Sequence, residues 1–287
     1  MDIMNEKELL DYEMEKIVHS VGIPPRPTIL MALEAEVQKD EPDFRKIEQF
    51  VASDVGLSAA LLKTVNSPFF GLRNKAATIS HAISVLGLAT LTRTITGLML
   101  RKVFATAGQI SMERFWDASA KVAMTTAHIA RQLPGMNRDE SYTFGLFQDC
   151  GIPILIQRFP NYKQTLGLAN QSLDRTFTDI EEDHHQTNHA IVGSLLTKNW
   201  NLSPSLCDAI RFHHEYDMFA ESQLPQECLH LMALALLAEH AIQLHTGLSN
   251  SVEWRKGGEI ALDHLGLSHA EFEEIVDDIR VLLDSKT

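Results

Sequence analysis

At 287 residues, with 45% apolar and 22% charged side chains, the chain has the balance of a folded globular protein, which excludes a disordered one. Its formal net charge of −13 excludes the broadly basic surface of a general nucleic-acid binder. Cys150, Cys207 and Cys228 form no CxxC pair and are odd in number, which argues against a disulfide framework or cysteine zinc site and for a reducing, cytoplasmic setting.

Residues 1–20 are acidic and amphipathic, without the basic and apolar regions of a signal peptide, and read as a helical extension. Helical spacing follows: Leu30, Leu33 and Val37 behind Pro27, then Ile47 with Phe50 or Val51, then Leu57, Leu61 and Val65. Asn66-Ser67-Pro68 closes that helix and reads as a structural turn. Ser80 is expected to cap a short helix that Gly87 stops, with a longer one over 88–104. After a break near Gly108, helices are expected at 113–133, 139–151, 161–171, 189–200, 203–215, 225–247, 252–265 and 268–284. Ser268 with Glu271 gives the last of these a capping box. Strand alternation is nearly absent, so the fold class is all-α. The most apolar run, Leu231–Ala238, is too short to span a bilayer, and no membrane association is expected.

Weak patterning at 105–111 marks the best boundary, with a second weak point at 217–226. Two packed lobes are expected, about 21–107 and 111–247, followed by a helical extension at 248–287. Trp116 and Trp200 are expected as core anchors where the lobes meet. Charge divides the same way. Six basic residues (Lys63, Arg73, Lys75, Arg93, Arg101, Lys102) and no carboxylate lie between Val55 and Met112, whereas Ser111 to the end carries a net −12. The basic set could offer a surface to an anion or acidic partner; scattered solvated side chains are the plainer explanation.

The second lobe concentrates groups able to ligate metal: Asp149, Asp183, His184, His185, His189, and His213-His214-Glu215. A helix shows i and i+4 together but throws i and i+1 about 100° apart. On that ground His185 and His189 could share a face, while His213 and His214 are not expected to point the same way.

Four strings then carry a resemblance. Gly145-Leu-Phe-Gln-Asp-Cys-Gly-Ile152 resembles the GLLHDIGK signature of HD-type metal-dependent phosphohydrolases. His189-Ala-Ile-Val-Gly193 is similar to their H-x-x-x-G helix start, Ile210-Arg-Phe-His-His-Glu215 to I-x-x-HHE, and Phe115-Trp-Asp-Ala-Ser119 to the stretch bearing the first metal histidine. Upstream, Ile23-Pro-Pro-Arg-Pro27, Asp54 to Ser67, and Ile79-Ser-His-Ala-Ile-Ser-Val-Leu-Gly87 resemble the HDOD domain, an HD-related output domain. The resemblance covers roughly 20–245 and implies a multi-helical HD-like architecture with an additional N-terminal helical lobe.

The departures refine what it implies. Ala118 and Gln148 stand where an active HD site has histidines, and Ile152 replaces a common lysine. Gln148, Asp149, His189, His213, His214 and Glu239 remain as a degenerate site. With two imidazoles gone, no cofactor is expected; if a metal were held, Asp149, His189 and His213 would hold it. The resemblance implies a non-catalytic bacterial signalling module that binds partner proteins, with no direct nucleic-acid binding. Two alternatives stay open: a divergent phosphohydrolase acting on a nucleotide or phosphoester, and a module binding a nucleotide second messenger or other anion.

Overall fold

The structure, a computed structural model, describes residues 21–67, 70–107, 110–221, 224–247 and 251–284. The helical extension expected over 1–20, Pro68 and Gly108 therefore lie outside the described residues. About 73% of the chain is helical, and the one described sheet is a two-stranded hairpin, so the all-α class holds. The chain divides into two compact units: Arg26–Ala105 with residues 281–284, and residues 21–25 with Thr106–Arg280.

The smaller unit is built from four helices, each started by a recognisable signal. Helix α1 (Thr28–Val37) follows Pro27 and buries Leu30 and Leu33. Asp43 accepts from the Arg45 and Lys46 amides to cap α2 (Phe44–Ala52), and Asp54 accepts from Leu57 to cap α3 (Val55–Val65). Leu57, Leu61 and Val65 form the buried stripe of α3. The side chain of Asn66 then clamps Ala76: its Nδ2 donates to the Ala76 carbonyl at 2.9 Å and its Oδ1 accepts the Ala76 amide at 2.7 Å. Helix α4 (Ile79–Val103) is capped by Thr78, whose Oγ1 accepts from His81 N, not by Ser80. Gly87 breaks it as a kink at φ 70°, ψ 167°, a conformation open essentially to glycine alone.

In the larger unit the expected break is a hairpin, β1 (Thr106–Ala107) with β2 (Ile110–Ser111). Helix α5 (Glu113–Gln132) packs along α6 (Arg138–Phe147), and α13 (Gln226–His245) runs through the centre with twelve of its twenty residues buried. The periphery is α7 (Gly151–Arg158), α8 (Tyr162–Ala169), α9 (Phe177–His185), α10 (His189–Asn199), α11 (Pro204–Phe212), α12 (Met218–Glu221), α14 (Val252–Leu265) and α15 (His269–Asp284). Trp116 and Trp200 are each 1% exposed, as expected of core anchors. Helices α4 and α13 are long and apolar enough to cross a membrane by length and composition, but α13 spends its apolar surface on the core.

Three expectations are corrected. The helix expected over 139–151 ends at Phe147, where the chain bends through residues 148–150 into α7, which was not expected. Helix α9 was not expected, although the Thr176–Asp179 capping box starts it. The helix expected over 203–215 ends at Phe212, with consequences for the site.

Candidate metal centre and adjoining cavity

The bend after α6 carries Gln148 and Asp149, and a close backbone approach brings it to the start of α10. A Cβ on Gly151 would lie 2.1 Å from the His189 carbonyl oxygen, so only glycine allows α7 and α10 to meet there. Asn188 caps α10 by accepting from the Ile191 amide, which places His189 in its first turn. His213 is the C-cap of α11 and His214 the residue beyond it. The 100° rule therefore stops applying between them, and both imidazoles face one point. The expectation that they diverge was wrong for that reason.

Asp149, His189, His213 and His214 present ligand atoms that all lie within 4.8 Å of one another. His189 Nε2 lies 3.2 Å from His213 Nε2 and 3.4 Å from Asp149 Oδ1, and His213 Nε2 lies 3.7 Å from the same oxygen. The far nitrogens are tied back. His189 Nδ1 is 2.7 Å from Glu181 Oε2, His213 Nδ1 is 2.8 Å from the Ile210 carbonyl, and His214 Nδ1 is 2.8 Å from Glu253 Oε2. These partners accept, so each Nδ1 donates and each Nε2 is turned inward, with a bare lone pair wherever the ring is neutral. Two such lone pairs at 3.2 Å repel unless a proton or a cation lies between them.

Electrostatics follow from this packing. Burial pushes the Glu181 carboxyl up, but the charge and hydrogen bonds of His189, with the Tyr162 hydroxyl donating to it, hold it below the usual range. Burial lowers His189, and Glu181 more than restores it, so the imidazole sits above its ordinary value. His213, pressed by burial and then by the His214 charge, falls to about 4 and stays neutral. Glu253 is raised by burial but held down by the charge and hydrogen bond of His214, then by Lys256. Phe177 of α9 stacks on His214 and meets His189 edge-on.

Beside these groups Gln148, 2% exposed, donates its Nε2 to Glu239 Oε1 from α13, and its own Oε1 has no partner. Burial, then the negative charge of Asp149, pushes Glu239 up to about 8, so it is neutral at pH 7. Ala118 lies across the same cavity.

The residues present fit one divalent cation. A tetrahedral site with ~2.0–2.1 Å bonds to nitrogen and oxygen has ligand–ligand edges of roughly 3.3 Å, near the three distances above. Each imidazole already has the acceptor that fixes its metal-binding tautomer. Among the described residues no second group of three or more ligating side chains lies beside it, and Gln148, next to Asp149, is an amide bound to Glu239.

The other candidates lie elsewhere. Asp183 pairs with Arg175, His184 Nδ1 donates to the Ile180 carbonyl, and His185 faces Thr165 at 2.8 Å. His185 and His189 do not share a helix face, because Gln186 ends α9 in the left-handed region. Of the six basic residues, Lys63 sits on α3, Arg73 and Lys75 precede α4, and Arg93, Arg101 and Lys102 lie on α4, with Lys102 paired to Asp54. Glu181, Glu253, Tyr162 and Phe177 escaped the sequence reading. The one available signal was the capping box of α9, which would have put Glu181 on a helix ahead of His189.

The sequence model of the HDOD domain matches residues 23–216. An "Uncharacterized protein" of Treponema pallidum (strain Nichols) is 25% identical over 215 residues, 71% of this chain, which spans about two fifths of that relative's length (40%). An HDOD domain protein of unknown function from Geobacter sulfurreducens shares the fold with a TM-score of 0.65 at 24% identity, covering 91% of this chain and 92% of its own. A "Putative signal transduction protein" from Marinobacter aquaeolei VT8 aligns with a TM-score of 0.70 at 19% identity, over 94% of this chain and 59% of its own. With the family model spanning well over half of its length, and the HD-like site in place, the chain belongs to the HDOD domain family.

Proposed function

We propose that this chain is a signalling module that works by binding a partner protein, and that its HD-like centre holds one divalent cation as a structural pin. The observation that carries this is the composition of the centre. Four protein ligands serve a single position, the arrangement of a closed structural site, whereas a catalytic site leaves one position to water. Gln148, bound to Glu239, stands where the resembling signature has a histidine, which leaves a two-metal clamp without that ligand. Family membership, and the name of the Marinobacter neighbour, support a regulatory role. Three free, buried cysteines suit a reducing compartment such as a bacterial cytoplasm.

Metal titration with turnover assays tests both halves. Chelated protein titrated with Zn²⁺ or Mn²⁺ is expected to take up one equivalent and melt at higher temperature. His189→Ala is expected to abolish both effects. Phosphomonoesters and phosphodiesters should remain intact with either metal. Two bound equivalents, or turnover lost in His189→Ala, would overturn the non-catalytic reading in favour of a phosphohydrolase.

A further inference from the structure

A cavity of about 340 Å³ opens beside Asp149 and His214, between α5, α7, α8, α13 and α14. That is the low end of small-molecule sites, roughly 300–1,000 Å³. One wall is apolar, from Phe115, Val122, Ile152, Leu166 and Ile242. Three carboxyl side chains, Asp149, Glu239 and Glu253, line the other side, and none of the described lining residues is Lys or Arg. With no cation bound, a phosphate entering here would meet the Asp149 and Glu253 carboxylates and no guanidinium or ammonium to bind it.

Two acceptors on the polar wall have no donor. Gln148 and Gln243 both line the cavity, and the Oε1 of each is buried without a hydrogen-bond partner. A buried carbonyl oxygen left unpaired is costly, and a ligand N–H removes that cost. From the cavity's charge, its apolar wall and these two oxygens, we infer that it takes a small uncharged heterocycle with an N–H-donating edge, about the size of a nucleoside. This deepens the binding-module reading and rests on it. The heterocycle lies against Phe115 and Val122 and turns its amino or lactam edge toward Gln148 and Gln243. In the cation-free protein the Asp149 and Glu253 carboxylates disfavour phosphorylated forms of this ligand.

The test is calorimetry and thermal shift with a panel of free nucleobases and nucleosides, each paired with its 5′-monophosphate, on metal-loaded and on chelated full-length protein. At least one uncharged member is expected to bind saturably, with its monophosphate at least about tenfold weaker on chelated protein. Gln243→Leu should weaken that binding about tenfold, the scale of one hydrogen bond. Ala118→Phe, which fills the cavity from α5, should abolish it while circular dichroism and metal stoichiometry stay unchanged. A panel with no binder, a monophosphate that binds chelated protein more tightly than its nucleoside does, or binding undiminished in both variants would overturn the inference. Binding that persists in protein taking up no cation supports it and removes the cation alone. Recovery of the bound compound chemically altered supports occupancy of the cavity and removes the non-catalytic reading.

Discussion

Glu181 is fully buried and Glu239 half-buried beside the same histidines, yet they sit on opposite sides of neutrality. Glu181 receives donors on both oxygens, from Tyr162, His189 Nδ1 and the His189 amide, so its charge is compensated. Removing it would leave a buried imidazole without its counter-charge. Glu181→Ala is expected to cost about 3–5 kcal/mol in chemical denaturation, the range for breaking a buried pair, and to weaken cation affinity by roughly 10–100-fold. A loss below about 1 kcal/mol, the size of an exposed pair, would show that the network is not closed as described. Glu239 has one donor, Gln148, and the Asp149 charge nearby, so it keeps its proton until about pH 8. The unfolded chain gives that proton up near the ordinary value of 4.5. Between those values the unfolded state binds fewer protons than the folded one, so stability falls as pH rises. In chelated protein, Glu239→Gln should match the parent near pH 4 and exceed it at pH 8 by on the order of 1 kcal/mol or more, the value of one pK unit. A parallel pair of melting curves across that range would mean Glu239 is ionised throughout.

At the scale of the element, the site depends on where helices stop. Gly151 and the cap at Asn188 set the approach of α7 to α10, and Gly151→Ala forces a methyl into the His189 carbonyl. Overpacking of this kind costs about 1–3 kcal/mol, and here backbone must yield rather than a flexible side chain. The substitution should lower the melting temperature and also weaken cation binding; unchanged affinity in a destabilised protein would show that the approach does not position His189. The Asn66 clamp gives a control in the other unit, since Asn66→Ala should destabilise by roughly 1–3 kcal/mol through the unpaired Ala76 groups and leave the cation site alone. These stops explain what could be read in advance. Asp149, His189 and His213 stand in strings whose residue types announce a metal site, and the helical stripes around Leu33, Ile47 and Leu61 announce the core. The pairing of His213 with His214 could not be read from periodicity, because it exists only where α11 has ended. Glu253 could not be read either, since its contact with His214 joins residues 39 apart through packing of α13 on α14.

At the scale of the whole chain, the family match ends at residue 216 while the site does not. Glu239 comes from α13, and Glu253 from α14, where it fixes His214 Nδ1 and accepts from the Tyr216 hydroxyl. The same two helices and α15 are locked by stacked rings: His240 on Trp254 at 4.0 Å and Trp254 on Phe272 at 5.1 Å. Helix α13 alone supplies a large share of the core, from Cys228 to Ala241. A fragment of residues 21–216 would therefore expose the partners of that helix and release His214 from its acceptor. It is expected to lose cooperative unfolding and to bind no cation, whereas Glu253→Gln in the full chain keeps the fold and weakens the cation by roughly 10–100-fold. Comparing the two by calorimetric melting and metal titration separates the packing role of the C-terminal helices from their part in the site. A fragment that melts cooperatively and still takes up one equivalent would place the functional unit within the family's own limits.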